Sequence, residues 1–152
     1  MSTAKAPKVV LGKRPTTFTK TVTGPMADGK TGEIDIVFRY RTRTEWGALL
    51  DEHQAAKKER GAAAVQGYLD AVAAARAAVP PLPLPTPPGA EAAQAAEVEA
   101  DARLVLDIAT AWDLPDQFTF ENVRQLADEA PGLITEIVRA YGDAVHEGRL
   151  GN

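Results

Sequence analysis

A chain of 152 residues, 45% of them hydrophobic, is long enough to bury a core unaided, and the lack of cysteine excludes disulfides, thiolate metal sites and cysteine nucleophiles. The net charge of −4 conceals a division: residues 1–60 hold 12 Lys/Arg against 7 Asp/Glu, net +5, and residues 61–152 hold 5 against 14, net −9. Such polarity describes either two solvated surfaces of opposite sign or a device that steers head-to-tail self-association.

Residues 1–15 are rich in Ala, Lys and Pro and carry no acidic residue. They predict a mobile basic arm, with Lys5, Lys8, Lys13 and Arg14 solvated rather than interleaved with aromatics as in a nucleic-acid site. The apolar triplet Val9-Val10-Leu11 is too short for a signal peptide or a membrane span, so no membrane association is expected. Thr16 to Thr23 places Phe18 and Val22 on one face among alternating threonines, which is strand chemistry. Gly24-Pro25 breaks the strand and Asp28-Gly29 is a turn signal. From Glu33 to Arg41, Ile34, Ile36, Phe38 and Tyr40 alternate with polar residues, Val37 excepted. Residues 16–41 therefore read as an antiparallel hairpin whose apolar face needs cover, because a lone hairpin is marginal in water.

Thr42 and Glu45 have the spacing of a capping box. The helix they start carries Trp46, Leu49, Leu50 and His53 on one stripe, ends wet at Lys57, Lys58, Glu59 and Arg60, and resumes with Val65, Tyr68, Leu69 and Val72. Gly61 and Gly67 leave open whether residues 43–79 form one helix or two. Residues 80–88 lie in a run with six prolines and read as an extended connector. Gly89 to Asp113 predicts a second long helix, with Val98, Ala102, Val105, Ala109 and Trp112 on one face and Leu114-Pro115 as its stop. Trp46 and Trp112, each on an apolar stripe, are both expected to be mostly buried. Thr119 is an N-cap for a short helix bearing Val123, Leu126 and Ala127. Pro131 opens the last helix, with Ile134, Ile137, Val138, Tyr141 and Val145 on one face and Gly148 as C-cap. The organisation is an arm (1–15), a hairpin with its helix or helices (16–79), a linker (80–88) and a helical remainder of the same domain (89–152). The fold class is α+β, predominantly α, with the N-terminal hairpin packed on the helical body.

No pattern of metal ligation, phosphate cradling or nucleophile activation occurs, and no catalytic residue, metal or cofactor is assigned. His53 lies on a packing stripe, and His146 sits in a last helical turn, where a cation complements the dipole. A helix-turn-helix reading of the two C-terminal helices fails electrostatically, since Leu133 to Glu147 sets Arg139 alone against Glu136, Asp143 and Glu147. Trp112, Phe118, Phe120 and Tyr141 are the candidate partner-binding residues. They either lock the helix corners or line an apolar groove for a partner's helix.

Three pieces of this chain resemble the tail assembly chaperones of long-tailed bacteriophages and prophages. They are the hairpin and capped helix from Thr31 to Glu52, the aromatic-Asp corner and short helix from Trp112 to Leu126, and the ending, Ala140-Tyr141 followed by Glu147 to Asn152. The alanine-rich middle and the proline connector depart from the pattern. The resemblance implies a non-enzymatic protein of the host cytoplasm, infected or lysogenic. Such a protein binds the long tape measure protein, keeps it soluble, recruits tail tube subunits and is absent from the finished virion. The family often also makes a longer frameshifted product. The competing readings are a structural minor tail or neck protein of the virion, and a helical interaction adaptor unrelated to phage.

Overall fold

The structure, a computed structural model, describes residues 4–151. Met1, Ser2 and Thr3 of the expected arm, and Asn152 of the C-terminal motif, lie outside the described residues.

The alternation read in the sequence forms a regular hairpin. Strand β1 (Thr17–Pro25) pairs antiparallel with β2 (Thr31–Arg39), from Thr17 opposite Arg39 to Pro25 opposite Thr31. In the turn Asp28 Oδ1 accepts from Lys30 N at 2.9 Å, and Gly29 takes a positive φ of 81°. Period-two geometry sends Phe18, Val22, Ile34, Ile36 and Phe38 into the core. On the opposite face Thr21 Oγ1 donates to Asp35 Oδ1 at 2.6 Å.

Helix α1 (Arg43–Ala77) is one unbroken rod of 35 residues, about 52 Å long at 1.5 Å per residue, and it runs through Gly61 and Gly67 without a break. Its capping box is complete: Glu45 N donates to Thr42 Oγ1 at 3.2 Å, and Thr42 N donates to Glu45 Oε2 at 2.7 Å. The bond from Thr42 N, with the Arg14 guanidinium second, holds the Glu45 carboxyl below the usual carboxylate range. Arg14 also lies over the Tyr40 ring, so the end of the arm is tied to the body. Along the whole of α1 only Trp46 and Ala75 are buried. The connector then runs extended, and Leu82 N donates back to Ala75 O at 3.1 Å.

Helix α2 spans Ala90–Ile108 and stops five residues before the predicted end at Asp113. Ala109–Trp112 form strand β3, antiparallel to β2 with Ile36 opposite Trp112 and a bulge between Val37 and Phe38. The sheet is therefore three-stranded, in the order β1-β2-β3. The correction has a tertiary cause. The helical periodicity continues through Trp112, but the outer edge of β2 offers unpaired backbone groups that a further strand satisfies. Asp113 N donates to Asp35 O at 3.1 Å, Asp35 N donates to Asp113 Oδ1 at 2.9 Å, and Thr110 Oγ1 donates to Val37 O at 3.3 Å.

Helix α3 (Phe120–Glu129) starts at Thr119, whose Oγ1 accepts from Asn122 N at 3.3 Å. Helix α4 (Pro131–Glu147) begins with its proline in the first turn and ends at Gly148 in the left-handed region. It lies across β1 so closely that a Cβ on Gly132 would sit 2.5 Å from Pro25 Cγ. Its apolar face, Leu133, Ile134, Ile137, Tyr141, Ala144 and Val145, covers the hairpin and supplies the burial the hairpin needs.

Candidate functional site

The sequence singled out four aromatic rings, and the structure distributes them over three environments. Trp112 and Phe118 meet edge to face, with centroids 5.2 Å apart and 83° between planes. Both are half-buried, and Trp112 Nε1 donates to Asp116 O at 2.6 Å, closing the corner between β3 and α3. Trp112 also walls a small groove of about 110 Å³ with Leu114 and Leu126, and Asp116 and Glu129 give it an acidic rim. Both tryptophans are mostly covered, as expected, but to different degrees: Trp46 is buried and Trp112 keeps an accessible edge.

Phe120 opens α3 and faces the other way, beneath the Arg103 guanidinium at 5.6 Å. Tyr141 contributes no surface, being 0% exposed. It packs against Phe18, Phe38 and Trp46, and its hydroxyl donates to Arg39 O at 2.9 Å. Burial pushes the Tyr141 phenol above its ordinary pKa, against the opposing pull of Arg41. Tyr141 is a core residue, while Trp112, Phe118 and Phe120 retain accessible area on two surfaces.

Sequence reasoning missed the loose seam between α1 and α2. Polar bridges span it: His53 Nε2 lies 2.6 Å from Asp107 Oδ2, and Lys57 Nζ lies 2.7 Å from Glu97 Oε1. Beside the bridges are two clefts, one of about 310 Å³ that includes His53, Arg60, Arg103 and Phe120, the other of about 320 Å³ with Asp101 and Leu104. Burial, aided by Glu97, raises the Asp101 pKa. Arg60 read as part of a wet helix end, yet it stands seven residues after His53 on the same helical face, and that spacing was the available signal.

Farther along α1 the apolar stripe is uncovered. Val65 and Leu69 are 58% and 51% exposed, and Leu82 and Leu84 of the connector stand exposed too. Among the described residues no group of His, Asp or Glu is arranged to hold a metal ion, and no helix is long and apolar enough to cross a membrane.

A surface of this kind, apolar stripes and shallow acidic grooves around a firm core, suits protein partners better than small molecules. The family model described as "Phage tail assembly chaperone" matches residues 4–152, nearly the full length. The chain belongs to the phage tail assembly chaperone family. No curated protein and no solved structure matches it. The match spans the alanine-rich middle and the connector as well as both ends, so the two stretches that depart from the pattern read in the sequence lie within the family match.

Proposed function

We propose that this chaperone binds the tape measure protein in the cytoplasm of the infected or lysogenic host. It covers that protein's apolar helical stripes and yields them to tail tube subunits as the tube grows. The role is non-enzymatic, and the chaperone is left out of the finished virion. The observation that carries this reading is the uncovered stripe on α1. Val65 and Leu69 stand exposed at helical spacing, half-buried Val72 continues the row, and the connector leucines stand beside the end of the same helix. Exposed apolar area of this sort on a folded chain marks an interaction site. The half-buried rings Trp112, Phe118 and Phe120 supply further apolar contacts, and the excess of acid in residues 61–152 adds solubilising charge.

Reversibility follows from shallow surfaces, because many modest contacts release more readily than one deep anchor. Several copies arrayed along one tape measure chain accommodate its length, and the opposite charges of the two halves of the sequence favour head-to-tail order.

Co-expression with the tape measure protein, followed by fractionation and native mass spectrometry, tests the reading. The tape measure protein is expected in the soluble fraction with more than one chaperone per chain, and purified virions should lack the chaperone. A tape measure protein that stays insoluble, or a chaperone recovered in particles, would overturn it.

A further inference from the structure

The cleft between α1, α2 and the start of α3 contains a half-buried guanidinium, that of Arg60, with one nitrogen left without a hydrogen bond. Arg60 Nη2 is buried and finds no hydrogen-bond partner among the described residues. Three of the carboxylates near it take other partners in their hydrogen bonds, although Glu99 still acts on Arg60 through its charge. Glu99 Oε1 takes Arg103 Nε at 3.1 Å and Nη2 at 2.6 Å, and this bond to Arg103 holds the Glu99 carboxyl below its ordinary pKa. Asp107 takes His53, and Glu97, nearer the connector, takes Lys57. Glu52 lines the cleft but forms no ion pair with Arg60.

A buried, unsatisfied guanidinium nitrogen carries a desolvation cost that folding alone does not recover. We infer that this cleft is a binding site for a single side-chain carboxylate, a glutamate or aspartate presented by a partner protein, with Arg60 as the residue that receives it.

The chemistry selects that class of ligand. A guanidinium presents two parallel N–H donors that match a planar carboxylate. Arg103, stacked on Phe120 and clamped by Glu99, is fixed as a second positive edge. The carboxylates of Glu52 and Asp107 in the same lining oppose a doubly charged phosphate more than a monoanion. Ala56, Leu106 and the Phe120 ring offer an apolar floor for the methylenes of a glutamate. The inference rests on the proposed function only in placing that carboxylate on a protein partner. A titration with the isolated residue analogue tests the cleft whatever the partner is.

The experiment uses the full isotope-labelled chain. N-acetyl-L-glutamate N-methylamide is titrated in, with the neutral glutamine analogue and inorganic phosphate as parallel arms. Saturable shifts of the Arg60 Nε–H and the Phe120 ring are expected with the glutamate analogue and not with the glutamine one. Arg60→Lys, which keeps the charge and loses the fork, is expected to bind about tenfold more weakly. Arg60→Leu is expected to abolish the response while the melting temperature holds or rises, since a guanidinium with a buried, unsatisfied nitrogen is removed. An equal response to glutamine, tighter binding of phosphate, or no saturable shift would overturn the assignment. A marked drop in melting temperature for Arg60→Leu would overturn it as well, because it would show that Arg60 already serves an internal ion pair.

Discussion

Trp46 of α1 meets Tyr141 of α4 edge-on, with ring centroids 5.0 Å apart and 75° between planes. Phe18 and Phe38 of the hairpin lie against the other sides of Tyr141, at 6.0 and 5.3 Å. The cluster joins the base of the long helix, the last helix and the sheet, so one residue's packing couples three elements distant in sequence. Trp46→Ala is therefore expected to cost about 3–5 kcal/mol by urea unfolding. Trp112→Ala, at a half-buried corner, should cost clearly less. Equal losses would mean that the β3–α3 corner is as much core as the cluster.

Tyr141 also gives a pH dependence. Its phenol is raised in the folded state, chiefly by burial, so the folded protein holds that proton at pH values where the unfolded chain releases it. The contribution is complete below the ordinary tyrosine pKa and is lost as pH rises through the folded value. Tyr141→Phe is expected to flatten the alkaline fall in stability. It should also lower stability at neutral pH, because the hydroxyl no longer donates to Arg39 O. Parallel alkaline profiles for the two proteins would refute this.

The opposite dependence is expected at the start of α1. Glu45 is held low, first by its bond to the Thr42 backbone, so its contribution is present above the ordinary carboxylate pKa and lost as pH falls through the lowered one. Thr42→Ala removes the reciprocal half of the box and should cost about 0.5–2 kcal/mol at neutral pH. Circular dichroism melts at neutral and acid pH would separate the two halves: the loss from Thr42→Ala should shrink once Glu45 is protonated.

Local chemistry carried most of this fold in the sequence. The hairpin, the Thr42 and Thr119 caps, the Pro131 start and the Gly148 stop all depend on neighbours within a few residues, and all are as read. What stayed hidden depends on distant partners. Ala109–Trp112 has a helical pattern and becomes a strand because the free edge of β2 lies beside it. Tyr141 and Trp112 carry equally apolar sequence surroundings, yet only one is sealed, because α4 lies on the sheet and β3 lies at its margin. The Arg60 cleft needs α1, α2 and α3 together, and periodicity along one helix does not report that.

The connector should matter little to folding. Its backbone returns one bond, from Leu82 N to Ala75 O, and Leu82 and Leu84 remain exposed. Replacing residues 80–88 with a flexible linker of equal length is expected to leave the far-ultraviolet spectrum and the melting temperature nearly unchanged. A large fall in melting temperature would mean that the connector braces α1 against α2.

The stripe on α1 separates function from stability. Val65 and Leu69 are more than half exposed, so Val65→Lys and Leu69→Lys remove little buried area, and each should change stability by no more than about 0.5 kcal/mol. If the stripe covers the tape measure protein, the double variant should fold normally and still fail to keep that protein soluble in co-expression. Trp46→Ala should behave in the reverse sense, losing stability first and function only in proportion. A double variant that solubilises its partner as well as the parent would move the binding surface to the Trp112 groove, where Phe118→Ala then becomes the deciding substitution. Salt distinguishes the contributions further, because it screens charges beyond a Debye length of about 8 Å and leaves apolar burial intact. Raising salt should loosen contacts between chaperone copies before it releases the tape measure protein. Release of both at the same salt concentration would mean that charge, not the α1 stripe, supplies the grip.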